Sequence, residues 1–129
     1  MSATAIDAEA WYTASLLRAT EQAGEGVLTL AEGLADGELK RSRLTRRAIT
    51  QQLQALAQAL AGVPALACQA MPEIDWAGWR AMPAALGHPE PAQADDALLM
   101  CVHALVPATL MWLRVYRPQQ PQWFAAPAT

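Results

Sequence analysis

The chain has 129 residues, enough for one domain with one sizeable core. Hydrophobic residues make up 53% of it and charged residues 16%, which excludes intrinsic disorder of the whole chain. The formal net charge of −3 excludes a generic nucleic-acid coat but leaves room for a local basic patch.

Helix is favoured throughout, because 29 Ala and 17 Leu stand against 8 Val plus Ile. Ala and Leu lead the helix-propensity ranking, whereas β-branched residues lead the strand ranking. The first helix is predicted to begin after Asp7, a good N-cap. Leu16, Ala23, Val27, Leu30 and Leu34 recur along it at helical spacing. Gly24 and Gly26 each cost ~1 kcal/mol relative to Ala inside a helix, so a kink or break is expected there. Asp36-Gly37 reads as a turn. A second helix runs from about Leu39–Leu44 to Ala61, with Ile49, Leu53, Leu56 and Leu60 stacked on one face. Gly62 and Pro64 stop it.

After Met71-Pro72, Asp75 is expected to cap a short third helix over Trp76 to Leu86, bent or split by Pro83. The stretch from Gly87 to Pro91 reads as a loop. Asp95 or Asp96 then caps the last helix, up to about Tyr116. Leu99, Val102, Val106, Leu110 and Leu113 form its near-heptad seam, and Pro107 should bend it. Residues 1–116 are thus read as a single all-α domain, an antiparallel four-helix bundle. A Pro-rich tail over 117–129 follows, whose Trp123 and Phe124 either fray or fold back as a strap.

The N-terminal residues lack the basic and apolar runs of a secretion signal, so a cytoplasmic location is expected. Cys68 and Cys101 are then expected as reduced thiols with no assigned role. Ala97 to Leu113 is uncharged and almost wholly apolar. At ~1.5 Å per residue it falls short of the ~30 Å hydrocarbon core, so a buried central helix is expected, at a subunit interface or within the bundle, and no membrane association.

Five of the nine basic residues lie within eight positions, at Lys40, Arg41, Arg43, Arg46 and Arg47. Seven of the twelve acids precede that run. Two readings follow: a solvated helix start paired with the acidic first helix, or a patch that contacts RNA phosphates without reading sequence. His88 sits at a helix end, as a general acid or base or simply as an exposed loop residue. His103, on the most apolar helix, is expected to be buried, neutral and held by one hydrogen bond. Cys101 and His103, two apart, fall on different helix faces; no metal site and no cofactor are expected. Trp76 and Trp79, three apart, share a face, as core residues or as a platform on which bases stack.

Two stretches resemble HepT-like proteins of the HEPN superfamily. Ser42-Arg43-Leu44-Thr45-Arg46-Arg47-Ala48-Ile49 is similar to the opening of that family's second helix. Met71-Pro72-Glu73-Ile74-Asp75-Trp76, followed by Met82, Leu86 and His88, resembles its third-helix region. An acid at Asp95 or Asp96 and the run Val106-Pro107-Ala108-Thr109-Leu110 add support. The resemblance implies a four-helix fold, a homodimer, and pairing with a nucleotidyltransferase-type antitoxin in a toxin–antitoxin module. Active members are ribonucleases with an Arg and a later His separated by four to six residues. Here His88 matches the His, but Pro83 stands at the Arg position, Ala84 at the following Asn, and Glu90 where some members carry a modified Tyr. Arg80 is the nearest upstream arginine. The leading expectation is therefore a degenerate domain that binds RNA or a protein partner. The alternatives are an active metal-independent ribonuclease using His88 with a relocated arginine, Arg80 or one of the basic patch, and an unrelated helical structural protein.

Overall fold

Alanine and leucine runs with few β-branched interruptions close into helix over most of the chain. The computed structural model describes the backbone of residues 3–124 and the side chains from Ala8 onward. All regular structure among these residues is helical: α1 (Ala3–Ala31), α2 (Asp36–Arg41), α3 (Arg43–Ala61), α4 (Ala65–Ala70), α5 (Trp76–Leu86), α6 (Pro91–Met100), a π turn (Cys101–Leu105), α7 (Val106–Gln119) and α8 (Pro121–Phe124).

Helix α1 is the spine on which α3, α7 and α8 pack. Gly26 lies beside Gln52, and Gly62 beside Tyr12 and Leu16, so α1 and α3 run antiparallel. Gly24 faces Leu110 and Glu21 pairs with Arg117, so α7 also runs opposite to α1. The expected break at Gly24 and Gly26 does not occur, because α1 is continuous to Ala31. Gly24 serves close packing instead: a Cβ there would lie 2.8 Å from Leu110 Cδ2. The backbone is already helical at Asp7, so Asp7 is inside the helix rather than its cap. The buried face of α1 is Thr13, Ala14, Leu17, Thr20, Ala23 and Val27. Of the predicted face, Leu16 and Leu34 are half-buried and Leu30 is exposed.

The face predicted for α3 is the core, with Ile49, Leu53, Leu56 and Leu60 all buried. What precedes it differs from the expected single helix. Gly33, at φ +76°, lets the chain leave α1, and Asp36-Gly37 opens the short helix α2 rather than a turn. The chain breaks again at Ser42, whose hydroxyl oxygen accepts from the Thr45 amide at 3.4 Å and caps α3. Helix α4 was not expected.

The third helix forms as predicted. Asp75 accepts from the Gly78 amide at 2.8 Å, and Pro83 is accommodated without dividing α5. The start of α6 lies upstream of Asp95 and Asp96, with Glu90 at the N-cap position and Pro91 in the first turn, where its missing N–H costs nothing. Pro107 produces a π turn, in which the Val106 N–H reaches Cys101 O. The wider turn makes room for a proline that can neither donate to the carbonyl four residues back nor tolerate its approach. The extra residue shifts the inward register. Leu98, Cys101, Val102, Leu105, Val106, Thr109, Leu113 and Tyr116 are buried, while Leu99 and Leu110 of the predicted seam pack at its edge.

The stretch Pro91–Gln119 is long and apolar enough to cross a membrane, and its most apolar 18 residues have a mean hydropathy of 1.7 and are 39% buried in the protein. Beyond it, Trp123 and Phe124 pack against the core, and Arg117 lies 5.4 Å over the Phe124 ring. The fold-back reading of the tail therefore holds to Phe124; residues 125–129 lie outside the described part. Both cysteines are free thiols.

Candidate functional site

Two features carry chemistry: a basic elbow where α2 meets α3, and a cleft walled by α3, α4 and α5. The elbow exists because Ser42 interrupts the helix between Arg41 and Arg43, placing the basic run on two differently directed segments. Lys40, Arg41, Arg43 and Arg47 are exposed, and Leu44 stands among them, 83% exposed. Arg46 differs. It is half-buried and pairs with Asp95 of α6, tying α3 to α6.

The expected pairing with the acidic first helix is not seen among the described residues. Glu21 of α1 binds Arg117 instead. The acids nearest the elbow are also engaged elsewhere. Glu38 accepts from the Ala35 amide at 3.3 Å at the start of α2, and Asp36 lies 2.8 Å from His103 Nε2. The four exposed cations thus have no ion-pair partner among the described residues, which leaves a positive surface on an acidic protein.

His103 corrects its expectation. It is not buried: its side chain is 54% exposed and meets the carboxylate of Asp36. Cys101 and Val102 turn in, and His103, about 100° further round the helix, faces out. Burial pushes the Cys101 thiol up to about 11, and the described residues form no cluster suited to a metal ion.

His88 follows α5, half-buried, and its Nδ1 accepts the Glu90 N–H at 3.0 Å. That bond takes one imidazole lone pair into shaping the His88–Pro91 turn. Arg80 lies eight residues back on α5, roughly 12 Å along the helix axis at ~1.5 Å per residue. Its side chain lines the cleft, which His88 does not line.

The cleft has a volume of about 700 Å³. Its apolar walls include Ala57, Leu60, Val63, Trp76, Trp79 and Pro83. Both indole N–H groups are already satisfied: Trp76 donates to Met71 O at 2.9 Å and Trp79 to Thr109 Oγ1 at 2.9 Å. The rings therefore offer apolar surface and no free donor. Polar lining comes from Gln54, Gln58, Cys68 and Arg80, and no acid is among the lining residues. Burial raises the Cys68 thiol, while the positive charge of Arg80 acts in the opposite direction. The Trp pair and Arg80 stand out in the sequence, but Gln54, Gln58 and Cys68 give no signal without α4 in place.

Compared with known proteins, the chain matches no family model, no curated protein and no solved structure.

Proposed function

We propose that this protein is a non-catalytic, RNA-binding helical domain of HepT-like type, which holds the phosphate backbone at the α2–α3 elbow. One observation carries the reading: Lys40, Arg41, Arg43 and Arg47 are exposed without ion-pair partners, while Asp36, Glu38 and Asp95 are engaged elsewhere. Cations on a helix junction neutralise successive phosphates, and binding then reads charge more than sequence. Leu44 adds an apolar contact for sugars or splayed bases.

Against catalysis stand Pro83 in place of an arginine and the commitment of His88 Nδ1 to a backbone amide. A transition-state phosphate needs a general base and a cation converging on it. In the same proposal α1, α3, α5 and the α6–α7 helix are the four members of an antiparallel bundle. The exposed Met100, Met111 and Val115 of the last helix supply a homodimer contact, and the location is cytoplasmic.

Fluorescence anisotropy with a labelled single-stranded RNA tests the proposal. Four phosphate contacts give a slope of log affinity on log salt of about −3, from ~0.7 per contact. Arg43→Glu with Arg47→Glu should abolish binding while the circular dichroism spectrum stays unchanged. Binding that survives both reversals, or none at 50 mM salt on the order used for such titrations, would refute it. Cleavage of RNA in chelator, lost in both His88→Ala and Arg80→Ala, would instead establish the ribonuclease reading.

A further inference from the structure

The cleft between α3, α4 and α5 is independent of the elbow and of the RNA reading. We infer that it is a binding site for a small amphipathic carboxylate, with an aromatic or acyl body against the tryptophans and the carboxylate on Arg80.

Size is the first argument. At about 700 Å³ the cleft falls within the range of small-molecule sites, roughly 300–1,000 Å³. Its chemistry is the second. The walls are mostly apolar and the Trp76 and Trp79 indole N–H groups are consumed inside the protein, so the half-buried Trp76 ring, backed by buried Trp79, can only pack against an apolar body. Trp79 is 2% exposed and anchored to α7 through Thr109, which makes that wall rigid.

Charge is the third argument. Arg80 is the single cation among the lining residues, and no carboxylate lines the cleft with it. Among the described residues Arg80 has no ion-pair partner, since the ion pairs involve Arg46, His103 and Arg117. A guanidinium beside apolar walls favours a planar carboxylate, which it can hold with two parallel hydrogen bonds. Gln54 and Gln58, one turn apart on α3, add amide donors and acceptors along the same lining. Arg80 is exposed beside the cleft lining, so a neutral apolar molecule would make no use of its charge, and a polyanion would meet a largely apolar wall.

The test uses the full chain and two probes of equal shape, naphthalene-2-acetate and its neutral amide, in isothermal titration calorimetry. The carboxylate should bind one per chain and at least about fivefold more tightly than the amide, a modest ratio for a charge-assisted pair. In Arg80→Gln the carboxylate should lose that advantage while the amide binds as before. Ala61→Trp, which fills the mouth of the cleft from an exposed position on α3, should abolish binding of both. Occupancy should also slow alkylation of Cys68 by iodoacetamide. The inference is overturned by any of three results: no carboxylate binding at millimolar probe, an unchanged acid-to-amide ratio in Arg80→Gln, or full binding in a folded Ala61→Trp. RNA binding by Arg80→Gln should match wild type, which keeps the two sites distinguishable.

Discussion

Replacing Thr109 with valine removes an acceptor while nearly preserving shape. The Thr109 hydroxyl accepts from the Trp79 indole at 2.9 Å and donates to Leu105 O at 2.7 Å. Trp79 and Thr109 are each 2% exposed, so water cannot take over when the oxygen is removed. A buried donor left unpaired costs ~1–3 kcal/mol, and the added methyl recovers part of that, leaving a net loss of about 1–2 kcal/mol. At ~2.1 cal/mol/K of unfolding entropy per residue, 129 residues give about 0.27 kcal/mol/K, so Tm should fall by about 4–7 °C. Thermal denaturation followed by circular dichroism measures it. A double-mutant cycle sharpens the result, because in a Trp79→Phe background the same change should cost less than about 0.5 kcal/mol. A Tm within about 1 °C of wild type, or equal losses in both backgrounds, would show that this bond does not hold α5 to α7.

The two glycines of α1 should respond differently to alanine. At Gly26 a Cβ meets Gln52 at 3.6 Å, an ordinary contact, so Gly26→Ala should stabilise by ~0.5–1 kcal/mol through helix propensity. At Gly24 the 2.8 Å approach to Leu110 costs ~1–3 kcal/mol of overpacking, so Gly24→Ala should gain nothing and Gly24→Val should melt clearly lower; chemical denaturation ranks them. The thiols give a third outcome. Native protein should be alkylated at Cys68 and spared at Cys101, which mass spectrometry reads directly. Because burial raises the Cys101 thiol to about 11, the folded state keeps its proton where the unfolded chain has already released it. Stability conferred by the neutral thiol is therefore full below the ordinary thiol range and is lost as pH climbs toward that value. The slope should flatten in Cys101→Ala.

How far the sequence could be read depended on which force decided each element. Helix α3 was legible because a single periodic face, Ile49 through Leu60, is also its buried face. The continuity of α1 was hidden, since the local penalty at Gly24 is outweighed by the contact with Leu110, a residue 86 positions away that nothing local announces. The start of α6 was misplaced because Asp95 looks like a cap, whereas its carboxylate belongs to Arg46. His103 was misread for a related reason. Its apolar neighbours suggest burial, but the inward stripe of Leu98, Cys101, Val102 and Leu105 leaves it on the outer side of the helix, beside Asp36. For the sites, the charge run was plain in the sequence, while its division at Ser42 needed the backbone. The cleft is a gap between three elements, one of which, α4, left too short a pattern to recognise.

The π turn also acts as a length setting. One residue in an α-helix corresponds to a rotation of about 100°, and the wider turn at Cys101–Leu105 takes up that rotation for its surplus residue before α7 begins. Deleting Ala104 would close the turn to ordinary α spacing and leave Thr109 on Trp79 and Leu110 on Gly24, at the cost of the room the wider turn gives Pro107. Losing one residue from the α-helical body of α7, where no turn can absorb it, would instead rotate everything beyond the cut by about 100°, so the chain should tolerate a length change at the π turn far better than one a few residues further on.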